Sequence, residues 1–342
     1  MEIENEYKSF KQKLVSIANA IREKKGIKRK LTLNDMSKIL EKDEKVITLF
    51  SDEASLAIDE KINSILTQGN VTGGQGWLDE VDVSFENFPD AKYLIDWSLG
   101  NDFDIKTLHC GTIEVIGKSA CRNSVNIETV NAPNVKKIET EAFYTNQGMS
   151  YVPKMTSFNA PLCKEFGDYA LYSREGSYRK FLSELNIESA EKIGASAFHN
   201  VWFTDLYVPH LKEIGTYAFF NNTKLERIHA PELRVLPQYS FSQCTALIEA
   251  TFPKVEEIQN SAFYNSSNLT RIHLPNARSI DPGAFGMTNL KELYLENPYS
   301  VCKLNYQWNN FTLKVFVPKL LVKKYEKDEH WGRLNILSIS EE

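Results

Sequence analysis

Along residues 105–296 one pattern of apolar and polar positions returns again and again. Aligned on a turn position (Gly111, Pro133, Pro161, Glu188, Pro209, Pro231, Pro253, Pro275), successive copies are offset by 22, 28, 27, 21, 22, 22 and 22 residues. Just before the turn stand Cys110, Ala132, Ala160, Ile187, Val208, Ala230, Phe252 and Leu274. Two residues earlier come Leu108, Val130, Phe158, Leu185, Leu206, Ile228, Ala250 and Ile272. That alternation predicts a short strand with one buried face. Proline ends it, because it brings no N–H to a ladder.

Five residues past the turn lies a second apolar column, running from Ile116 to Ile280 and followed in most copies by a turn-former such as Gly117, Gly167, Gly194 or Gly215. An Ala-Phe pair then closes the unit. Its alanine suits tight approach of neighbouring coils. Its aromatic (Phe143, Phe198, Phe219, Phe241, Phe263, Phe285) predicts a continuous inner ladder, with Cys121 and Leu171 filling the slot in two copies. A period in this range marks a solenoid, whose units cannot bury their apolar faces alone. Phe219 and Phe263 should therefore share one compartment.

The consensus of strand, Pro, Ile-Gly and Ala-Phe resembles the bacterial BspA-type leucine-rich repeat. The stretch Phe311 to Ile339 resembles the strand-plus-helix that often closes such arrays, with Pro318 at the helix start and Gly332 at its stop. The resemblance implies an α/β repeat solenoid: a leucine-rich-repeat-like right-handed coil with a parallel β-sheet. It also implies a surface or secreted protein that binds host or matrix molecules, and no enzymatic activity.

The first residues follow a different rhythm. Tyr7, Phe10, Leu14, Ile17 and Ile21 make a heptad-like stripe stopped by Gly26. A second helix fits Thr32 to Leu40, and a third fits Asp52 to Leu66. Residues 1–68 thus read as a helical attachment or oligomerisation module, 69–104 as a hinge with an N-terminal cap, 105–296 as the solenoid and 297–342 as a C-terminal cap. Leu14 to Leu40, with IANAIREKKG followed by LTLNDM, is similar to a segment of tail-associated proteins of phages and prophages of Gram-positive bacteria. Its KKGIKRK is more basic than that pattern. An amphipathic helical hairpin packed on itself is the alternative for this stretch.

Composition narrows the function. The net charge of −5 over 342 residues argues against a nucleic-acid binder. No apolar run is long enough to insert in a membrane, and the first thirty residues lack the apolar core of a secretory signal. The five cysteines are an odd number and fall in core columns or the cap, as reduced, buried apolar groups. No HExxH, CxxC or GxSxG occurs, and GGQG lacks the lysine of a phosphate loop. His229 and His273 stand two coils apart, about 10 Å, too far to share one metal ion. No catalytic residue, metal or cofactor is expected.

Two binding surfaces are expected instead. One is the outward ladder of the strands, with Asn131, Asn159, Asn186, Tyr207, His229 and His273 as candidates. Amides and aromatic rings suit hydroxyl-rich ligands, although such ladders also simply solvate a sheet. The other is a pair of insertions: 15 residues separate Phe143 from Phe158, and 14 separate Leu171 from Leu185, where regular copies use 8 or 9. They fall at the same point of adjacent coils and carry Tyr144, Asn146, Tyr151 and Lys154, then Tyr172, Arg174, Tyr178 and Arg179. Tyr and Arg on loops over a rigid scaffold favour recognition.

The leading expectation is a non-enzymatic phage-tail protein that recognises a host surface polysaccharide or protein. It would assemble in the host cytoplasm as a homo-oligomer and join other tail or baseplate proteins through residues 1–68. The alternative is a BspA-type adhesin on the bacterial cell surface.

Overall fold

The computed structural model describes residues 81–84, 92–94, 96, 98–100, 105–146, 153–174, 182–308 and 310–339. The expected helices of residues 1–68, the glycine hinge, and Tyr151, Tyr178 and Arg179 lie outside them.

Each coil contributes a front strand and a two-residue back strand. The first coils hold β1 (Val81–Ser84) and β2 (Tyr93–Leu94), β3 (Ile105–His109) and β4 (Val115–Ile116), β5 (Thr129–Asn131) and β6 (Lys137–Ile138). Next come β7 (Ser157–Asn159) and β8 (Glu165–Phe166), β9 (Glu184–Asn186) and β10 (Lys192–Ile193), β11 (Asp205–Tyr207) and β12 (Glu213–Ile214). The series ends with β13 (Arg227–His229) and β14 (Val235–Leu236), β15 (Glu249–Thr251) and β16 (Glu257–Ile258), β17 (Arg271–His273) and β18 (Ser279–Ile280), β19 (Glu292–Tyr294) and β20 (Lys303–Leu304). The sheet begins within the segment assigned to hinge and cap, since β1 pairs with β3 and β2 with β4. All pairings among these strands are parallel.

Front strands join as β1-β3-β5-β7-β9 and, after a break, from β11 onward; back strands join from β2 to β12 and then from β14 to β20. Repeats align column on column, so Leu108, Val130, Phe158 and Leu185 lie side by side. Among the described residues little helix is present.

The aromatic column packs inside. Phe198, Phe219, Phe241, Phe263 and Phe285 stack in sequence at centroid separations of 5.6, 5.2, 5.7 and 5.3 Å. Trp308 ends the stack 5.5 Å from Phe285, with planes 3° apart. Phe143 does not join it. Leu171 stands between it and Phe198 along the column, and Phe143 meets Phe158 edge-on instead.

The turn side of the coils rests on backbone that L-residues seldom adopt. The residue before the Ala position has positive φ in copy after copy, as at Glu141 (59°), Tyr217 (57°) and Ser261 (56°). So does the residue two past the aromatic, where Asn123, Asn200, Asn221 and Asn265 exploit the tolerance of asparagine for that region. Each of these N–H groups reaches a carbonyl of the next coil, as Asn221 does to Ser242, so the turns form a hydrogen-bonded ladder of their own. The glycines after the second apolar column act otherwise than expected. They are there for close approach: a Cβ on Gly215 would lie 2.3 Å from the Ala195 nitrogen.

The cap is a strand, a short helix and a strand. β21 (Lys314–Val317) extends the front sheet and β22 (Asn335–Ser338) pairs with it in parallel. After Pro318 a 3-10 turn leads into α1 (Val322–Glu326). Gly332 is not the helix stop. It lies in a second 3-10 turn, Trp331–Arg333, where a Cβ would meet the Glu326 carbonyl at 2.4 Å. Buried Tyr325 and Trp331 seal the end, the Tyr325 hydroxyl accepting from the Cys302 amide and the Trp331 indole donating to its carbonyl.

Candidate recognition surface

The first and third residues of each three-residue front strand point outward, because the middle one is committed to the core. Parallel pairing then turns the third residues into a ladder. His109, Asn131, Asn159 and Asn186 stand in register, and so do Tyr207, His229, Thr251, His273, Tyr294 and Phe316. The change from amides to rings coincides with the break between β9 and β11. In the first block the amides bond one another, Asn186 to Asn159 at 2.9 Å and Asn159 to Asn131 at 3.0 Å. In the second, Tyr207 stacks on His229 (5.2 Å, 8°), His273 on Tyr294 (4.0 Å, 7°) and Tyr294 on Phe316 (4.4 Å, 7°). Glu296 meets His273 Nδ1 at 2.9 Å.

The first residues form a charge ladder of alternating sign: Asp205, Arg227, Glu249, Arg271, Glu292 and Lys314. Arg227 pairs with Asp205 and Arg271 with Glu292. The hydrogen bond from Arg271 holds the Glu292 carboxyl below its usual range, and the bond to Asp205 raises the Arg227 guanidinium further. Beside the back strands, carboxylates are shared between cations of the coils on either side. Glu114 bridges Lys92 and Lys136, Glu191 bridges Lys164 and Lys212, and Glu256 bridges Arg234 and Arg278. These exposed pairs hold register more than they add stability.

The insertions leave from the turn side, so the two sets of candidates occupy different faces. At their bases Thr145 bridges to Ser173, which sets the two bases next to each other. Tyr144 and Tyr172 stack there, 4.9 Å apart at 11°, and the Arg122 guanidinium lies 4.3 Å above the Tyr144 ring. The Asn146 amide donates to Asn123 Oδ1, the Lys154 amide to the Val125 carbonyl and the Arg174 amide to Thr145. Inward of these bases, between Cys121, Phe143, Leu171 and Trp202, lies a cavity of about 60 Å³. It lies where Cys121 and Leu171 stand in place of phenylalanine on either side of Phe143.

Among the described residues no catalytic groups converge. All five cysteines are buried thiols outside any disulfide, and burial pushes the Cys110, Cys163, Cys244 and Cys302 thiols up to about 12. Among the described residues no cluster of His, Cys, Asp or Glu could hold a metal ion, and no helix is long and apolar enough to cross a membrane.

Residues 92–176 and 178–312 match the BspA type leucine rich repeat region in six copies, over more than half of the chain. The chain belongs to the BspA-type leucine-rich repeat family. BspA-type proteins are typically bacterial surface proteins and are generally non-enzymatic binders. Similar solved structures include the pneumococcal vaccine antigen PcpA, at 17% identity over 69% of this chain and 68% of that one, with a TM-score of 0.35. A leucine-rich repeat protein from Bacteroides ovatus is 16% identical over 80% of this chain and 98% of its own, with a TM-score of 0.31. A leucine rich cell surface protein from Faecalibacterium prausnitzii is 14% identical over 70% and 86%, with a TM-score of 0.28. Superpositions this loose add nothing to the BspA-type match. Comparison with curated proteins by sequence gives no match. The match begins at residue 92, so the likeness of Leu14 to Leu40 to tail proteins gains nothing from it.

Proposed function

We propose that this chain is a non-catalytic recognition protein of a bacterial surface, which binds a host or matrix protein through its repeat array. The observation that carries this reading is the outward ring and charge ladder from Tyr207 to Phe316, laid over a close-packed aromatic core. Strands fixed from below present side chains at constant spacing, which lowers the ordering cost of association. The paired tyrosines at the insertion bases offer a second contact area on another face. BspA-type family membership favours this adhesin reading over the phage-tail one.

The test is binding of the full chain to immobilised host matrix proteins and, in parallel, to bacterial wall polysaccharides. Saturable binding to a matrix protein supports the reading. Binding to wall polysaccharide alone would favour a tail protein, and no binding to either would end the proposal. Antibody labelling of intact producing cells checks location, with label confined to released particles counting against a surface adhesin.

A further inference from the structure

The ring ladder of the front sheet has one missing rung. Between His229 and His273 stands Thr251, so two ring faces look at each other across a short side chain. Tyr207 covers the far face of His229, and Tyr294 that of His273. Two strand spacings put the facing rings about 10 Å apart.

In the same coil the charge ladder leaves Glu249 without a hydrogen-bonded cation, with only the charge of Arg227 on the neighbouring strand near it. Arg227 turns to Asp205 and Arg271 turns to Glu292, so both neighbouring cations lean away from Glu249. Among the described residues, no side chain bonds or pairs with its carboxylate. Glu249 and Thr251 point outward on the same strand, so their Cα atoms are about 7 Å apart.

The sheet is also parted here. Neighbouring front strands elsewhere in this block are tied by bonds such as Ala230 to Thr251 and Leu274 to Tyr294, and Glu249 to Glu226 and Glu292 to Thr270. The equivalent bond from Arg271 to Ile248 is not made. Only Thr251 and His273 remain in register between β15 and β17. Side-chain volume explains the parting. This coil has Ala250 and Phe252 where the one before has Ile228 and Ala230, so bulk is shifted two residues along. The Phe252 ring packs against Phe241 and Phe263. A groove of about 730 Å³ results on the His273 side of Thr251, with Glu249, Arg271, His273, Lys291 and Glu292 among its walls, and His229 stands one strand outside it.

We propose that this slot receives the guanidinium of an arginine side chain presented by a protein partner. The proposal rests on the recognition reading above and names its contact point. A flat cation midway between the rings lies about 5 Å from each, where a guanidinium stacks on the faces of neutral imidazoles. Guanidinium stacks on ring faces and offers two parallel N–H groups to a carboxylate, which an ammonium cannot do. It also supplies the hydrogen-bonded cation that Glu249 lacks, as a neutral sugar would not.

The test uses the full chain and the peptides acetyl-Gly-Arg-Gly-amide and acetyl-Gly-Lys-Gly-amide, with a neutral oligosaccharide as third probe. The readout is the ring proton resonances of His229 and His273. The arginine peptide should shift both saturably, and the lysine peptide should bind at least about tenfold more weakly. Glu249→Gln should weaken the arginine response by at least about tenfold, and Thr251→Tyr should abolish it with the thermal midpoint kept. Equal response to both peptides, an unaffected Glu249→Gln, or shifts with the oligosaccharide alone would overturn the slot. Matrix-protein binding without any arginine response sinks the slot and leaves the recognition reading standing. An arginine response without matrix binding does the reverse.

Discussion

Phe241 lies flat against Phe219, their centroids 5.2 Å apart and their planes 6° from parallel. Phe263 covers its other face at 5.7 Å. Each ring therefore seals two interfaces between coils at once. Phe241→Ala should cost about 3–5 kcal/mol, the range of large-to-small core changes. Urea unfolding measures it, and a loss below about 1 kcal/mol would mean that the column is not core.

Gly215→Ala tests the spacing of the coils. The added methyl would sit 2.3 Å from the Ala195 nitrogen, which is backbone and cannot swing aside. Destabilisation of about 1–3 kcal/mol is expected, as for overpacking. An unchanged unfolding midpoint would show that the coils separate without cost.

Tyr144 and Tyr172 should couple. A double-mutant cycle with alanine at each should return about 0.5–1.5 kcal/mol of interaction, the usual value of a ring pair. Strict additivity would mean that the stack leaves the insertion bases independent.

Glu191 sits between Lys164 and Lys212, whose hydrogen bonds and charges lower its carboxyl from 4.5 to about 2. A depressed folded value means that its contribution is present above about pH 4.5 and lost as pH falls toward 2. Salt should weaken it, because the group is exposed. The carboxyl ¹³C titration of Glu191 should climb back toward 4.5 in a Lys164→Met, Lys212→Met double variant. A midpoint that stays low would assign the shift elsewhere.

The cysteines should be silent in the folded chain. All are buried, and four have thiols raised to about 12 by burial. A thiol-disulfide reagent at pH 8 should react only after denaturant is added. Rapid reaction of native protein would show that a coil opens.

Much of this was readable in the sequence because a strand's period of two and a strict repeat leave few alternatives. The Leu, Val and Ile columns and the outward ladder follow directly from residues such as Leu206 and Tyr207. Trp308 was missed, since it ends the stack beyond the last Ala-Phe pair. The positive-φ column is barely legible in the sequence, as Tyr217 and Glu141 give no compositional hint; Asn123, Asn200, Asn221 and Asn265 do. The break after β9 has no signature in the repeat columns, whereas the parted seam at β15 has one in the exchange of bulk between Ala250 and Phe252. The tyrosine pair followed from equal placement of the insertions, while their partner Arg122 comes from the preceding coil.

The two sheet interruptions do not coincide. The front is cut between β9 and β11, and the back one coil later, between β12 and β14. Each gap is therefore splinted by an unbroken ladder on the opposite side, like staggered joints in brickwork. Pulling from either end meets no plane of easy cleavage, so the array should yield to force as one piece rather than snap into halves.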